Sequence, residues 1–318
     1  MVEALTLSVV VPVYNEGDGL YLLMERLRPM VEGLGVSWEV VFVDDHSADH
    51  TPEVLQKICD TNPGFRRLRL ARNSGSHIAI LAGLENCRGA CAVFMAADLQ
   101  DPPELLPKML SSWRQGNKII WAVRVGREGL TISERVFSYL FYWLLRHVGG
   151  IQIPPGGYDF AMVDRAVIEA LRSSVGANPS LFSEIARLGF RQAEIPYTKQ
   201  ARQYGTSKWT LKVKLKTFAD TFVSFSYAPV RMMSYAGLFL STIGFLYALY
   251  VLLMRIIVQK TIPGFASLMV AVLGIGGFQM IMLGVLGEYL WRTLDEARRR
   301  PRYFIEDSLE SEKTQENS

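Results

Sequence analysis

Cysteine, net charge and signal-like segments are all scarce in this chain. Three cysteines, Cys59, Cys87 and Cys91, stand among 318 residues. Their spacing fits neither a metal cage nor a disulfide framework, so the fold rests on neither and reduced thiols are expected. The formal net charge is only +3. That excludes a uniformly basic surface, and no nucleic-acid partner is expected. The first residues lack a basic start followed by an apolar centre, so no secretory signal is expected there.

Two stretches lack charge altogether. Residues 233–254 and 265–287 contain no Asp, Glu, Lys or Arg. Each exceeds the roughly 20 residues a bilayer-crossing helix needs. The short connector 255–264 makes them a hairpin, with spans at about 233–255 and 265–288. Lys208, Lys212, Lys214, Lys216 and Arg231 precede the first stretch; Arg292, Arg298, Arg299, Arg300 and Arg302 follow the second. Only Arg255 and Lys260 lie between. The positive-inside rule then places both termini in the cytoplasm, in a multi-pass protein of the cytoplasmic (inner) membrane. Residues 133–148 and 208–230 mix aromatics with cations and read as amphipathic interface helices, an ordinary core-facing helix being the plain alternative. The tail after Phe304 is polar and is expected to be disordered. The expected organisation is an α/β domain over 1–205, juxtamembrane interface helices over 206–231, a transmembrane hairpin over 232–290 and a basic cytoplasmic tail over 291–318.

The N-terminal part alternates two patterns. Short β-branched runs at 6–13, 38–44, 91–97 and 118–123 read as buried strands, and 66–71 as a further strand. Helical segments fall at 18–33, 51–60, 76–87 and 103–115. Such alternation predicts an α/β fold: a Rossmann-like, mostly parallel sheet flanked by helices. Ligands of such sheets bind beyond the carboxyl ends of the strands.

The loops there carry the candidate chemistry. The first strand runs into Pro12, Tyr14, Asn15 and Glu16; Pro12 is expected to end the ladder and Asn15 to cap the next helix, near a site for an anion. The second runs into Asp44, Asp45 and Ser47. An acceptor-only carboxylate such as Asp45 suits a uracil N–H or a ribose hydroxyl, whereas Ser47 and Asp49 read more simply as helix caps. The fourth runs into Asp98, Gln100 and Asp101. Asp98 and Gln100, two apart on an extended chain, would point the same way and offer two oxygens to Mg²⁺ or Mn²⁺. Asp101, before Pro102 and three residues from Glu104, is expected to be an N-cap. Arg124, Arg127, Arg135, Arg202 and Lys208 suit phosphate oxygens. Asp159 follows a Gly156-Gly157 pair and reads as a carboxylate facing a substrate, or as a turn residue.

With these motifs in view, the chain resembles the family-2 glycosyltransferases of GT-A fold, and more narrowly the polyprenyl-phosphate glycosyltransferases, including dolichyl-phosphate mannose synthase and the bacterial bactoprenol glucosyltransferases. The motifs are VVVPVYNE (9–16), VDDHSADHT (43–51), ARNSGSHIAILAGL (71–84), ADLQDPPE (97–104), GGYDFAMVDR (156–165) and RQYGTSKW (202–209), with LGEYLWRTLDEARRRPRYF (286–304) like the bacterial branch. The resemblance implies transfer of a hexose, glucose from UDP-glucose first, to undecaprenyl or another polyprenyl phosphate with inversion. GDP-mannose, UDP-N-acetylhexosamine and UDP-aminoarabinose donors are the alternatives. It implies Asp98, Asp159 and Arg202 as catalytic residues. It places Pro12, Tyr14, Asn15, Glu16, Asp44, Asp45, Ser47, Gly75 and Asp98 at the nucleotide-sugar, and Arg124, Arg127, Arg135, Ser138, Arg202 and Lys208 at the acceptor phosphate. Asp98 and Gln100 are the implied metal ligands. A homo-oligomer, a tetramer by resemblance, is expected, and Gly274, Gly276 and Gly277 permit close helix packing for it. The family often carries a further carboxylate two residues before Asp98; here that position is Ala96. A non-catalytic nucleotide-sugar sensor and a processive polysaccharide synthase are the competing readings.

Overall fold

The computed structural model describes residues 5–124, 160–173, 181–198, 228–253, 256–257, 264–298 and 301–310. The strands among them are β1 (Leu7–Val13), β2 (Trp38–Asp44), β3 (Phe65–Leu70), β4 (Cys91–Phe94), β5 (Ile119–Arg124), β6 (Phe160–Asp164), β7 (Gln192–Tyr197) and β8 (Ile305–Glu310). The helices are α1 (Leu20–Glu32), α2 (Thr51–Thr61), α3 (Ser76–Asn86), α4 (Leu106–Arg114), α5 (Arg165–Ser173), α6 (Leu181–Arg187), α7 (Ala228–Leu253) and α8 (Phe265–Ala297). Short 3₁₀ turns, Gly17–Gly19 and Pro103–Leu105, lead into α1 and α4.

The strands form one sheet in the order β7-β5-β6-β4-β1-β2-β3-β8. Its centre, β4-β1-β2-β3, is parallel; β6 runs antiparallel to β4 and β5, and β8 antiparallel to β3. The central strands are apolar on both faces because both faces are covered. Val9, Val11, Val40 and Phe42 point into one core with Leu23 and Leu27 of α1 and Leu55 of α2. Val10, Val41 and Val43 point into the other with Ile80 and Leu84 of α3. This is the expected α/β architecture, a mostly parallel sheet flanked by helices.

Gly83 of α3 is where helix and sheet come closest. A Cβ there would lie 2.2 Å from Val10 Cγ1 and 2.9 Å from Val43 Cγ2. At the opposite end of the sheet from the candidate loops, Glu39 and Arg66 form a buried pair with Oε2 and Nε 2.7 Å apart. Ser8 Oγ and the Arg88 N–H both donate to the other Glu39 oxygen, each at 2.6 Å. The pair is thereby satisfied and ties β1, β2 and β3 together.

Two expectations change here. Pro12 does not end β1: the strand continues to Val13, with Pro12 opposite Val43 of β2. Only the ladder to β4 stops, at Val10 opposite Phe94, so the missing Pro12 N–H faces a strand that has already turned away. The tail after Phe304 is not disordered through 310. Residues 305–310 pair with β3, because an acidic strand meets a basic one. Arg67 Nη2 lies 2.5 Å from Asp307 Oδ2, and Arg69 Nε lies 3.0 Å from Glu306 Oε2. Strands β6, β7 and β8 were not anticipated.

Helices α7 and α8 follow the two charge-free stretches, and α8 runs beyond its stretch to Ala297. Counted over the described residues, no helix is long and apolar enough to cross a membrane. The predicted interface helices, apart from the start of α7, lie outside the described residues.

Candidate active site

The chain proceeds from β1 outward to β2 and β3, then crosses to β4 on the other side of β1. That reversal opens a crevice above the carboxyl ends of β1, β2 and β4. Three loops rim it, and each contains a non-glycine residue at positive φ: Asn15 (52°), His46 (59°) and Leu99 (58°). Asn tolerates this conformation; a leucine there is a rare arrangement held by its surroundings. Leu99 is only 2% exposed, packed into the core beneath the loop. Its burial holds Asp98 and Gln100 half-exposed on either side.

The first two loops interlock. The Asn15 N–H donates to Ser47 Oγ (2.9 Å), and the Ala48 N–H donates back to Asn15 Oδ1 (2.9 Å). The Glu16 N–H donates to Thr51 Oγ1 (3.1 Å). Asn15 is therefore not a helix cap. Its side chain turns sideways because φ is positive, and bridges to the neighbouring loop. Ser47 likewise serves the loop pair, whereas Asp49 accepts the Thr51 N–H (3.0 Å) at the start of α2, much as a capping residue does. Tyr14 and Glu16 lie half-buried on the same rim.

The two adjacent aspartates do different work. Asp44 is fully buried; it accepts the Ser47 N–H at 2.8 Å and pairs with Arg69 Nη1 at 2.5 Å. Asp45 accepts the Ser74 N–H at 2.7 Å on one oxygen and the Gly75 N–H at 2.8 Å on the other. Gly75 has φ of 90°, open to glycine at little cost, and leads into α3. Burial pushes the Asp45 carboxyl above its usual range, partly offset by those two N–H donors. Asp45 thus holds the 74–75 loop beside the crevice.

The third loop departs from the extended chain expected of Asp98 and Gln100. Asp98 Oδ1 accepts the Gln100 N–H at 3.1 Å, an Asx-type turn made possible by Leu99. The two side chains leave the backbone from a turn, so alternation along a strand no longer aligns them. Asp101 is not an N-cap either: no side-chain cap bond precedes the Pro103–Leu105 turn. It is fully buried, accepting the Ala96 N–H (3.1 Å) and the Tyr197 hydroxyl (3.0 Å). Burial, then the neighbouring Asp101 charge, push the Tyr197 phenol up, so it stays a donor. Arg124, at the end of β5, donates through Nε to that same hydroxyl oxygen at 3.5 Å. The structure therefore brings Arg124 close to the Asp98 loop.

Among the described residues no three His, Cys, Asp or Glu side chains converge on a metal position. One carboxylate and one amide fit a Mg²⁺ or Mn²⁺ that completes its shell with phosphate and water, and do not fit a closed protein cage. Arg127, Arg135, Ser138, Asp159, Arg202 and Lys208 lie outside the described residues. Sequence reasoning missed Arg69 and Tyr197, which hold Asp44 and Asp101. The one available signal was the basic 66–69 run ending beside the Asp44 loop.

Residues 8–172 match the family described as Glycosyl transferase family 2. The uncharacterized glycosyltransferase YkcC of Bacillus subtilis is 36% identical over 301 residues, covering 95% of this chain and 93% of its own. The prophage bactoprenol glucosyl transferase homolog of Escherichia coli is 30% identical over 299 residues, covering 94% and 98%. Among solved structures, glucosyl-3-phosphoglycerate synthase of Mycobacterium tuberculosis shares the fold, with a TM-score of 0.50 at 18% identity over 69% of this chain and 80% of its own.

Proposed function

The chain belongs to glycosyl transferase family 2, and from that premise we propose that it transfers a hexose from a nucleotide-sugar to a polyprenyl phosphate at a membrane. The observation carrying this is end-to-end similarity to a bactoprenol glucosyl transferase homolog, joined to a crevice rimmed by the Asp45 and Asp98 loops. Glucose from UDP-glucose is the first donor to test. The nucleoside would lie over the Asn15, Asp45 and Gly75 loops and the diphosphate beside Asp98.

The acceptor needs no strong protein base. A phosphate monoester has a second pKa near 6, so it is largely dianionic at neutral pH. One of its oxygens forms the new bond to the sugar anomeric carbon. The bond from that carbon to the nucleotide's phosphate oxygen breaks, and its electron pair leaves with the nucleoside diphosphate. Attack opposite the leaving group inverts the anomeric centre. Asp98 and Gln100 would hold a divalent metal, which when bound supplies positive charge to the leaving diphosphate. Arg124, together with Arg127, Arg135, Ser138, Arg202 and Lys208, would hold two mutually repelling phosphates close. Asp159 would orient the acceptor or a sugar hydroxyl.

Since no helix among the described residues is both long and apolar enough to cross a membrane, the membrane half of the proposal rests on the sequence, whose stretches 233–254 and 265–287 carry no charge and fall within α7 and α8 and the residues next to them. The 26-residue α7 rises roughly 39 Å at 1.5 Å per residue, more than the ~30 Å of bilayer hydrocarbon. Side chains at several positions inside both helices lie outside the described residues, but the sequence there is apolar. Consecutive Leu238, Phe239 and Leu240 are all exposed, so α7 is apolar on successive faces. Among the described residues nothing stands where a Cβ of Gly274, Gly276 or Gly277 of α8 would lie, which suits a second copy and an oligomer. The topology that fits has both termini in the cytoplasm.

The deciding experiment incubates membranes containing the protein with a panel of nucleotide-sugars and undecaprenyl phosphate, then weighs the lipid product. Asp98→Ala is expected to abolish transfer while leaving membrane insertion intact. Substantial activity of Asp98→Ala in added Mg²⁺ would refute the metal assignment. Absence of any lipid-linked sugar would refute the acceptor.

A further inference from the structure

We infer that Glu306, on the strand that follows the second long helix, is a positioning residue of the nucleotide site, acting through Arg69 on the Asp44–Ser47 loop. The inference rests on the reading that the nucleotide binds at that loop.

The Arg69 guanidinium makes one contact from each nitrogen. Nε donates to Glu306 Oε2 at 3.0 Å, Nη1 to Asp44 Oδ2 at 2.5 Å, and Nη2 to the Ser47 carbonyl at 3.3 Å. Asp44 is sealed from solvent, Arg69 is mostly covered, and Glu306 is half exposed. A planar fork bonded at Nε has its remaining donors aimed in fixed directions. Glu306 therefore aims Arg69, and Arg69 sets Asp44 and the Ser47 carbonyl. Ser47 in turn receives the Asn15 N–H, so the alignment reaches the first loop of the crevice.

Two further features place the contact at the site. The β3–β8 register shifts between Arg69 and Leu70, and such irregularities redirect side chains. His46, at positive φ within the loop, has Nδ1 3.1 Å from the Leu70 carbonyl and 3.5 Å from Glu306 Oε2. Glu306 thus meets the loop by two routes. The neighbouring Asp307 instead pairs with Arg67, whose Nη1 donates to the Pro52 carbonyl on α2, so strand docking and loop alignment are separable. The segment just before β8 is anchored independently: Tyr303 donates to Glu85 at 2.6 Å, and the Ala71 N–H donates to the Phe304 carbonyl at 2.9 Å.

If the strand aligns the loop, nucleotide binding must reciprocally tighten the strand. The test uses the full chain in detergent, with UDP as the probe. Titration calorimetry is expected to show Glu306→Gln raising the UDP Kd about three- to fivefold, the scale of a half-exposed charge pair. Glu306→Asp restores much of the affinity, Asp307→Asn leaves it near wild type, and kcat at saturating donor is unchanged in Glu306→Gln. Hydrogen exchange of amides 305–310 slows when UDP is added. Wild-type affinity in Glu306→Gln, or equal losses in Glu306→Gln and Asp307→Asn, would overturn the inference while leaving the donor site standing. Failure of the wild-type protein to bind UDP or GDP would remove the donor-site reading and this inference with it.

Discussion

Among the described contacts, replacing Asp101 by alanine strips two donors, the Ala96 N–H and the Tyr197 hydroxyl, of their acceptor. The Tyr197 hydroxyl is buried and would be left unsatisfied, at about 1–3 kcal/mol. The Ala96 N–H is part-buried, so water replaces its bond at about 0.5–1 kcal/mol. Together the loss is about 2–4 kcal/mol. For a domain of this size each kcal/mol moves the melting temperature by roughly 2–4 °C, so a fall of roughly 5–15 °C is expected. Asp101→Asn keeps one acceptor oxygen and loses about half as much. Tyr197→Phe removes the hydroxyl and its desolvation together and costs about 1 kcal/mol. The assay is thermal melting of the detergent-solubilised protein, followed by sugar transfer measured well below every variant's melting point. The Asp98 loop is expected to loosen in the folded Asp101→Ala protein, so transfer falls even where the fold is intact. Melting within 1–2 °C of wild type, or full transfer by the folded variant, would refute Asp101 as the clamp of that loop.

Gly83→Ala is expected to cost about 1–3 kcal/mol through overpacking, and Val10→Ala is expected to cost less in that background than alone; additive losses in a double-mutant cycle would rule this out. All three cysteines are buried, and burial pushes the Cys59 and Cys91 thiols up to about 12. A thiol reagent should therefore titrate none in the native protein and three after denaturation. His77 packs on Phe182 at 4.5 Å between ring centroids, and its Nδ1 is buried without a partner among the described residues. Although its ring retains some surface contact, desolvation lowers its pKa from 6.5 to about 4. The unfolded chain then binds a proton that the folded chain refuses. Stability is complete above about pH 6.5 and declines toward pH 4, with a slope of at most about 1.4 kcal/mol per pH unit. Denaturant titrations of His77→Gln should lose that component; an unchanged pH profile would remove His77 as its source.

The central sheet was legible because strands buried on both faces announce themselves as short apolar runs, and α1 to α4 fell between them as expected. Strands β6 and β7 were not, because β6 begins within a glycine-bearing motif that reads as a turn and β7, QAEIPY, alternates exposed and partly buried residues with few apolar ones. For β8 the signal lay in a pair of segments: IEDSLE is polar alone and becomes a strand only against the arginines of 66–69. The site was legible in residue type more than in role. Asp45 and Asp98 lie on the loops beyond β2 and β4, but the turn that brings Asp98 to the Gln100 N–H follows from positive φ at Leu99, which the identity of Asp98 does not announce. Asp101 resembled a cap by spacing and became a loop clamp because Tyr197, 96 residues away, supplies a hydroxyl.

The position of β8 in the chain also orders events during synthesis. Its partner β3 is complete at residue 70, yet β8 begins at residue 305. Translation at about 5–20 residues per second separates the two by roughly 10–50 s. Throughout that interval the nascent domain carries an open sheet edge while the long helices α7 and α8 are being made. Arg67, whose carboxylate partner Asp307 lies on β8 itself, keeps that edge charged in the meantime and discourages wrong pairing. Until β8 arrives, the Arg69 guanidinium that pairs with the buried Asp44 lacks its contact with Glu306, so this corner of the β2–β3 edge is completed last.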